Sequence, residues 1–382
     1  MTTREAALRT IDTESLTPIV RTILGTATAC VTAWKHEPCG LAPDGIHGTA
    51  PSTYRFSGRA DAAGREASWS CVLKIVTAPE TPADPASPAN GAREPLAYRS
   101  GLLSAIRGVR APRCFGVDDR PEGGWWLWLE DAADEIGRKW PRDRYLLAAR
   151  HLGQFNAASP AGDRVSHPWL SRSPLREAVA EFAPAVARLR EARQNPFVAQ
   201  AITPASADAL LRLLDTIEQR LAALDRLPHL LCHWDAHRAN LTSRTTDAGA
   251  LETVALDWAG VGWGPAGADL SKLMSQTVNF FGLRPDQLPA LDADLFSHYA
   301  DGLRDGGWRG ETTIVRFGYT AAAAARLIVR TASALQLALD DRARAGFERA
   351  TGQSFAVLAD GFKATLPYYL SLADEAAALG VD

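Results

Sequence analysis

The sequence is poor in the cysteine patterns that mark disulfide-rich or zinc-binding proteins. Its five cysteines, Cys30, Cys39, Cys71, Cys114 and Cys232, include no CxxC pair, and none has zinc-site spacing with a histidine. An odd number of scattered thiols is typical of a reducing compartment. We therefore expect a cytoplasmic protein in which each cysteine is a small buried hydrophobic residue.

Blocks of like charge and long apolar runs are missing as well. The 382 residues carry a formal net charge of −3 and show no basic stripe of the kind that nucleic acids require. The segment from Met1 to Ser15 has no apolar signal-peptide core, and the longest apolar run, Tyr319 to Leu327, is too short to span a bilayer. We therefore expect that the protein binds no nucleic acid and is not associated with a membrane.

What the chain does contain is enough apolar sequence for a large core, since 46% of its residues are hydrophobic. The first third predicts strands, because β-branched and aromatic residues cluster between Gly and Pro turns. These strands are expected at Ala29 to His36, Thr53 to Phe56, Ser68 to Val76, Arg113 to Val117 and Trp125 to Leu129. The alternating tryptophans Trp125, Trp126 and Trp128 are expected to pack on one face.

A proline-rich segment over about 78–92 predicts an exposed, mobile loop, and helical spacing returns from Glu94 to Ile106. From Asp143 onward helices dominate. They are expected at Arg144 to Ala157, Pro174 to Ala192 and Ser206 to Leu224, with several more from Leu288 onward. A β-rich island interrupts them, with strands at His229 to Cys232 and Glu252 to Leu256 around a polar turn from Thr242 to Ala250.

Together these patterns predict an α+β fold with two lobes. We expect a β-rich, nucleotide-binding N-terminal lobe over residues 1–131 and a mainly helical C-terminal lobe over residues 132–382. The boundary is expected near Asp131 to Trp140, where the strand pattern ends.

The segment 233–240, HWDAHRAN, holds residue types that phosphoryl transfer requires. That chemistry needs a carboxylate to accept the proton of the attacking hydroxyl, oxygen ligands for Mg²⁺ and a lysine on the phosphates. His233, Asp235 and Asn240 have the spacing of the kinase catalytic loop, H-x-D-x-x-x-x-N. We predict Asp235 as the catalytic base and Asn240 as a Mg²⁺ ligand; the alternative is an ordinary polar loop after a buried strand.

Three more candidates stand in a consistent order along the chain. Asp257 ends the apolar run Val254 to Leu256, which predicts a second Mg²⁺ ligand rather than a turn former. Lys74 is the lone charge of an apolar strand, so it predicts a contact with phosphates, unless it faces solvent from an edge strand. Glu94 opens the next helix and is either the ion-pair partner of Lys74 or a charge favoured by the helix dipole.

The nucleotide-binding loop is the least regular candidate. Residues 45–53, GIHGTAPST, lie between two predicted strands. Their backbone N–H groups, around Gly48, Ser52 and Thr53, are expected to fold over phosphates. Because the segment has no tight G-x-G-x-x-G pattern, an ordinary hairpin loop is the alternative.

With these residues, the chain resembles the aminoglycoside phosphotransferase and choline kinase-type superfamily of kinase-like enzymes. The stretch from His233 to Leu241 is similar to that family's H-G-D-x-H-x-x-N loop, and Leu256 to Trp258 to its I-D-W/F segment. Gly267 to Leu270 is similar to the G-x-D-L that follows. The helix from Ala149 to Asn156 is similar to the family's L-G-R-F/L-H helix.

The resemblance implies ATP, or sometimes GTP, as the phosphate donor, with Mg²⁺ held at Asn240 and Asp257. It implies that Lys74 contacts the phosphates. It also implies that backbone groups of an inter-lobe hinge hold the adenine. The hinge residues are Trp128, Leu129, Glu130 and Asp131.

The sequence leaves more than one role open for three residues in and after this loop. Trp234 replaces the family's usual glycine, and its ring either shapes an acceptor pocket or packs inside the protein. His237 is expected to be structural or close to the acceptor. Asp269 is expected to cap the next helix or to brace the catalytic loop.

The main functional hypothesis is phosphorylation of a hydroxyl on a small molecule: an aminoglycoside, a sugar, an amino alcohol or a nucleoside antibiotic. A polycationic acceptor requires an acidic wall in the helical lobe. Candidates for such a wall are Asp286, Asp292, Asp294, Asp301 and Asp305, which otherwise form a solvated face.

Two other hypotheses remain. The chain could phosphorylate Ser or Thr of a biosynthetic precursor peptide, as lanthipeptide-type kinases do, or it could be a nucleotide-binding pseudokinase that no longer turns over. The segment from Gly260 to Gly267 is too short for the regulated activation segment of a signalling kinase. The presence of Asp235, Asn240, Asp257 and Lys74 argues against a pseudokinase.

Overall fold

The computed structural model describes residues 8–39, 52–78, 84–87, 90–121, 123–137, 139–158, 167–280 and 284–380. Gly48, together with the rest of 45–51 in the predicted nucleotide loop, lies outside the described residues. Much of the predicted proline-rich loop, 79–83 and 88–89, lies outside them as well.

The N-terminal region is one antiparallel sheet with a helix packed against it. The sheet contains β1 (Cys30–Pro38), β2 (Thr53–Ala62), β3 (Arg65–Val76), β5 (Cys114–Asp119) and β6 (Trp125–Glu130), in the order β1-β2-β3-β6-β5. All five predicted strands are therefore present. The sequence reasoning missed the helix α1 (Thr13–Leu24), which is capped by the side chain of Asp12.

The core of this region lies between α1 and one face of the sheet. Leu16 and Val20 of α1 are fully buried against sheet residues that include Phe56. Trp126 and Trp128, two positions apart in β6, lie in the same cluster, as their alternation predicted, whereas Trp125 is only partly buried and lies outside it. This sheet presents Lys74 of β3 toward the rest of the molecule.

The helix predicted from Glu94 to Ile106 is two short helices, α2 (Arg93–Arg99) and α3 (Leu102–Ala105). Gly101 separates them with φ of +77°, a left-handed conformation that glycine adopts without a steric penalty. A short strand, β4 (Val109–Arg110), then pairs in parallel with a strand of the C-terminal region.

The C-terminal region is mainly helical. Its helices are α4 (Arg142–Ala158), α5 (Pro174–Ala187), α6 (Leu189–Ala192), α7 (Pro196–Ala201), α8 (Pro204–Asp225), α9 (Ala268–Phe280), α10 (Leu288–Asp305), α11 (Thr312–Leu339), α12 (Asp341–Thr351) and α13 (Phe355–Leu379). The single helix predicted from Pro174 to Ala192 is divided at Arg188 into α5 and α6.

Helix α11 forms the centre of the helical core. Small buried residues at 321–325 let α5, α9 and α13 pack closely against it. Among the described residues, α11 is the one helix long and apolar enough to cross a membrane, and 61% of its most apolar window is buried inside the protein. That burial is typical of a core helix.

The β-rich island predicted from His229 to Trp258 is present, with two corrections. It contains β7 (His229–Cys232), β8 (Leu241–Thr245) and β9 (Leu251–Ala255), and an additional strand that was not predicted, β10 (Gly262–Pro265), follows it. Residues 242–245, predicted as part of a polar turn, belong to β8, which pairs with β9. The polar side chains are tolerated because they meet a buried charge: Arg144 donates to Ser243 Oγ at 2.6 Å.

All five cysteines are free thiols. Cys71 and Cys232 are buried as expected, but the expectation of burial is wrong for Cys30 and Cys114, which are exposed. Cys30 precedes the buried Val31 in β1 and so points to the opposite face, and no residue of the edge strand β5, which contains Cys114, is buried.

Candidate active site

The segment 233–240 follows β7 and is held in place by a buried carboxylate. Asp269, in the first turn of α9, is fully buried and accepts hydrogen bonds from the backbone N–H groups of His233 and Trp234, each at 2.7 Å. Of the two roles that the sequence left open for Asp269, the geometry matches a brace of this loop.

The carboxylate of Asp269 is positioned by a second layer of polar groups. Asn156 of α4 donates from Nδ2 to Asp269 Oδ2 at 2.9 Å and to the carbonyl oxygen of Leu231 at 2.8 Å. The hydroxyl of Tyr299 donates to Asn156 Oδ1 at 2.7 Å. Asn156, the last residue of the predicted segment Ala149 to Asn156, therefore holds Asp269 in position and, through it, the loop.

His233 connects the loop to the segment that contains Asp257. Its Nδ1 accepts from the backbone N–H of Asp235 at 3.2 Å, and its Nε2 lies 2.9 Å from the carbonyl oxygen of Leu256. These contacts require a neutral ring that carries its hydrogen on Nε2. Burial lowers the pKa of His233, which favours that neutral form.

Asp235 is in contact with a donor at each of its carboxylate oxygens. Lys272 Nζ lies 2.7 Å from Oδ1, and Asn240 Nδ2 donates to Oδ2 at 2.6 Å. His237 Nε2 is 3.6 Å from Oδ2, while its Nδ1 accepts from the backbone N–H of Ala239. Burial alone would raise the pKa of Asp235, but His237 and Lys272 outweigh it and hold that pKa well below the usual range. The side chain remains 36% exposed, so an ionised carboxylate faces the open side of the site.

Asn240 and Asp257 lie on adjacent segments. The N–H of Leu256 donates to the carbonyl oxygen of Asn240 at 2.7 Å, which continues the pairing of β8 with β9. Because Asn240 donates through Nδ2, its side-chain oxygen is left to act as an acceptor or ligand.

These residues fit a magnesium ion whose other ligands come from phosphate and water. Among the described residues no group of three or more His, Cys, Asp or Glu side chains could hold a metal alone. One carboxylate, Asp257, and one amide oxygen, Asn240, are the small oxygen set that Mg²⁺ uses together with nucleotide phosphates. The site can therefore hold the ion with a bound nucleotide.

Lys74 links the sheet to this site. Its Nζ lies 2.5 Å from Glu94 Oε2 and 2.9 Å from Asp257 Oδ1. Burial alone would lower the pKa of Lys74, but the two carboxylates outweigh it and raise that pKa well above its usual value. The structure thus pairs Glu94 with Lys74, which was one of the two readings left open for this glutamate.

Glu94 is held rigidly by its neighbours. It is almost fully buried and accepts a hydrogen bond at Oε1 from the backbone N–H of Trp258 at 3.2 Å. The preceding residue, Arg93, is also buried and donates to the carbonyl oxygens of Trp169 and Ala259, at 2.8 and 2.9 Å. Helix α2 is therefore fastened to the segment that follows Asp257.

The remaining predicted nucleotide contacts lie on strands beside Lys74. Thr53 pairs directly with Lys74 across β2 and β3, and the carbonyl oxygen of Ser52 accepts from the N–H of Ile75 at 2.7 Å. Leu129 lies on β6, on the other side of β3, where it pairs with Val72, two residues before Lys74. Ser52 and Thr53 are therefore the two that lie directly beside the lysine in the sheet.

The two acidic hinge residues use their carboxylates in ion pairs. Glu130 lies 2.5 Å from Arg110, and Asp131 lies 2.9 Å from Arg55. Since β6 pairs with β3 and β5 as far as Glu130, sheet hydrogen bonds occupy its backbone to that point. A nucleotide contact at the hinge would therefore use backbone groups from Asp131 onward.

Comparison with known proteins gives the family. The sequence profile of the phosphotransferase enzyme family (APH) matches residues 57–310, which is more than half of the chain. The chain belongs to this family. It is accordingly a phosphotransferase that acts on hydroxyl groups. No curated protein matches the sequence.

Solved structures show the fold of this phosphotransferase. It is similar to a candidate aminoglycoside phosphotransferase of Ralstonia eutropha, with a TM-score of 0.53 and 12% identity over 95% of this chain and 98% of that one. It is also similar to the GDP complex of aminoglycoside 2′-phosphotransferase-IIIa (TM-score 0.48, 13% identity, 96% and 99% covered) and to an amicoumacin kinase with AMP-PNP and Ca²⁺ (0.45, 14%, 98% and 96%). The predicted α+β, bilobal, protein-kinase-like fold is confirmed.

Trp234, which stands where the family usually has glycine, is a packing residue in this phosphotransferase. Its φ is +67°, a conformation that is uncommon for bulky side chains. Trp234 is only 6% exposed, and its side chain lies against two glycines, with the ring next to Gly264. A Cβ on Gly264 would come within 2.3 Å of Trp234 Cζ2, and one on Gly260 within 3.2 Å of Trp234 Cβ. Of the two sequence hypotheses, an acceptor-pocket wall or internal packing, the burial favours packing.

Sequence reasoning missed two cations near Asp235. Lys272 of α9 contacts Asp235 directly, and Arg326 of α11 donates to Ser271 Oγ at 2.8 Å and to the carbonyl oxygen of Trp234 at 3.2 Å. A signal for Lys272 was available. The chain has only five lysines, at positions 35, 74, 139, 272 and 363, and Lys272 is flanked by the apolar residues Leu270, Leu273 and Met274.

Proposed function

We propose that this phosphotransferase transfers the γ-phosphate of ATP to a hydroxyl group of a small molecule, with Asp235 as the base. The observation that carries the proposal is the convergence of four side chains from three segments that are distant in sequence. Asp235 contacts Asn240, and Asp257 contacts Lys74, within a site built from the catalytic loop, the segment after β9 and the sheet. This is the set that phosphoryl transfer to an alcohol requires.

In the proposed reaction the acceptor hydroxyl donates its proton to the exposed side of Asp235. The hydroxyl oxygen forms a bond to the γ-phosphorus, the bond from that phosphorus to the β-γ bridging oxygen breaks, and ADP leaves. Asp235 is suited to this role because it is ionised and oriented through both oxygens before the acceptor arrives.

The donor site lies between the sheet and the catalytic loop. Lys74 would exchange its contact with Asp257 for the phosphates, while Glu94 keeps the ammonium in place. Asn240 and Asp257 would hold a magnesium ion bound with the nucleotide, and that ion would supply positive charge for the phosphates. Backbone groups from Asp131 onward would receive the adenine.

The acceptor is proposed to be a small molecule rather than a regulated protein target. The segment after Asp257 runs directly into β10, which pairs with β7 from Gly262 to Pro265. Gly262 lies so close to Ser171 that a Cβ would come within 2.1 Å of its carbonyl oxygen. This tightly packed segment leaves no activation loop here for a protein substrate to dock on.

The test is incubation with γ-labelled ATP and Mg²⁺ and a panel of aminoglycosides, amino sugars, sugars, nucleosides and candidate precursor peptides. Transfer of label to a small molecule, lost in Asp235→Asn, supports the proposal. Transfer to a precursor peptide alone would replace it with the peptide-kinase hypothesis. Failure to bind or hydrolyse any nucleotide would leave a binding module as the better description.

A further inference from the structure

Lys272 places a positive charge directly beside the proposed base. Its Nζ lies 2.7 Å from Asp235 Oδ1, and the lysine side chain is 18% exposed against 36% for the aspartate. The lysine extends from α9, whose first turn also carries the buried brace Asp269. The position of the ammonium is therefore fixed by the same helix that positions the catalytic loop.

The approach of an acceptor to Asp235 is limited by the donors already present. Oδ2 receives Asn240 at 2.6 Å with His237 nearby, and Oδ1 receives Lys272. A hydroxyl that reaches a remaining lone pair of this carboxylate must lie within a few ångströms of the Lys272 ammonium. Substituents on the carbon next to that hydroxyl lie in the field of the same charge.

Arg326 adds a second positive charge behind the first. Its guanidinium is held by Ser271 and by the carbonyl oxygen of Trp234, and it lies close enough to Lys272 to repel it. The acidic groups near these cations already have partners. Asp235 pairs with Lys272, Asp269 accepts from the loop backbone, and Asp257 pairs with Lys74.

The acidic residues that could have received a polycation are paired with arginines. The pairs are Asp286 with Arg284, Asp292 with Arg316, Asp294 with Arg142, Asp301 with Arg304 and Asp305 with Arg150, at 2.9, 2.8, 2.5, 2.5 and 2.7 Å respectively. Asp292 and Arg316 also line a cavity of about 540 Å³ between α10, α11 and α13, where Glu375 pairs with the same arginine, so two carboxylates share one cation. Each of the five carboxylates of the predicted acidic wall thus has an arginine partner.

We propose that Lys272 is a specificity-determining residue that selects acceptors with a neutral or anionic group next to the reacting hydroxyl and rejects those with an ammonium there. The inference rests on the proposed function and narrows its acceptor class. Amino alcohols and aminoglycosides with an amine beside the target hydroxyl are poor acceptors, whereas polyols and hydroxy acids are accepted. The reason is charge repulsion at short range in a partly buried site, because Asp235 offsets less of the Lys272 charge as it takes the proton of the hydroxyl.

The test uses three alcohols that share a two-carbon skeleton and differ in charge: ethanolamine, ethylene glycol and glycolate. Each is offered at the same high concentration to the full-length protein with Mg²⁺ and labelled ATP. Each alcohol is small enough to approach the solvent-exposed side of the Asp235 carboxylate. The measured quantity is the share of phosphate that goes to the alcohol oxygen rather than to water, resolved by ³¹P NMR or mass spectrometry. This share is independent of how much a variant slows the overall reaction.

We expect the glycol and glycolate shares to exceed that of ethanolamine by about tenfold or more in the unaltered protein. Lys272→Gln brings the three shares together, and Lys272→Glu reverses their order. Lys363→Glu, the same charge change at an exposed lysine on α13, leaves the shares as they were. Comparison of Lys272→Gln with Lys272→Glu separates a loss of charge from a reversal of charge.

Each contrary result has a distinct meaning. A preference for ethanolamine in the unaltered protein, or the same order in Lys272→Glu, overturns the role of Lys272. ATP hydrolysis without transfer to any of the three alcohols also overturns it, because the reacting hydroxyl would then not enter beside this lysine. Absence of ATP hydrolysis under all conditions points instead to failure of the proposed function.

Discussion

Asp269 accepts hydrogen bonds from the backbone N–H groups of His233 and of Trp234 at equal distances of 2.7 Å, one on each carboxylate oxygen. A single buried side chain thereby fixes the start of the catalytic loop from a helix that begins about 35 residues later in the chain. This relationship explains why a residue with no predicted chemical role should nevertheless affect catalysis.

Substitution Asp269→Asn is therefore expected to destabilise the protein and to slow transfer. The new NH₂ group faces a backbone N–H, so one charge-assisted hydrogen bond is replaced by two opposed donors, at a cost of about 2–4 kcal/mol in the free energy of unfolding. Urea denaturation measures this loss. Asp247→Asn, an exposed position in the turn between β8 and β9, is the matched control. Equal stability of the two variants would rule out the brace.

Asp235→Asn is expected to abolish phosphoryl transfer while nucleotide affinity stays nearly unchanged. The amide cannot accept the hydroxyl proton, whereas the predicted phosphate contacts at Lys74 and the metal ligands are intact. Transfer rates and nucleotide titration by calorimetry are measured on the same preparation. Retained turnover would show that another group is the base.

Asp257→Ala is expected to remove the Mg²⁺-dependent part of thermal stabilisation by ATP. The variant loses the proposed carboxylate ligand of the metal and the acidic partner of Lys74. Melting curves with ATP alone, Mg²⁺ alone and both together isolate the dependence. Glu252→Ala, which removes a carboxylate that pairs with Arg110, is the control for loss of an acidic side chain. An unchanged Mg²⁺ effect in Asp257→Ala would place the metal elsewhere.

Gly264→Ala is expected to destabilise the protein by about 1–3 kcal/mol, because the added methyl overlaps the ring of Trp234. The cost should shrink when Trp234 is also replaced by glycine, since the ring that causes the overlap is then absent. Chemical denaturation of the two single variants and the double variant gives this coupling. Gly361→Ala, a helical position with open space around it, is the control. Additive effects of the two substitutions would mean that the ring and the glycine do not meet.

Acidification is expected to weaken the fold in part through His151. Burial, reinforced by Arg144 and Arg150, lowers the pKa of His151 to about 4, with Glu252 opposing, and its Nδ1 contacts Thr253 Oγ1 at 2.9 Å. The unfolded state binds the proton at a higher pH than the folded state, so this contribution is fully present above about pH 6.5 and is lost as the pH falls toward 4. The loss is at most about 3 kcal/mol.

The comparison that checks this is denaturant unfolding of the unaltered protein and of His151→Gln between pH 7 and pH 4.5. The variant should lose less stability over that interval, because glutamine takes up no proton. His36→Gln, at an exposed histidine of β1, is the parallel control. Identical pH dependence for all three proteins would show that His151 contributes nothing to the acid sensitivity.

Local patterns in the sequence were sufficient for the strands of the sheet and for the order Lys74, Asp235, Asn240, Asp257. Strands are visible because burial on a pleated face selects β-branched and aromatic residues over short runs. The catalytic-loop candidates are visible because their spacing lies within a few residues of one chain segment. Their roles in binding and transfer remain predictions.

Local patterns were less informative where contacts between distant parts of the chain determine the secondary structure. The break at Gly101, the division at Arg188 and strand β8 were missed, and so was α1. The residues of β8 were assigned to a turn because they are polar. In the structure, Ser243 of this strand instead accepts a hydrogen bond from Arg144 of α4. Propensity does not contain that information, since the partner is about a hundred residues away.

By itself, the sequence determined the chemical groups available for phosphoryl transfer and their order, because both follow from residue type and spacing. Only the tertiary structure decided which charges meet. It placed Lys272 on Asp235, gave each acidic residue of the supposed wall an arginine partner, and buried the ring of Trp234 against Gly264. The physical reason is that electrostatic and packing energies depend on distance in space, and these side chains meet their partners only when the core has formed.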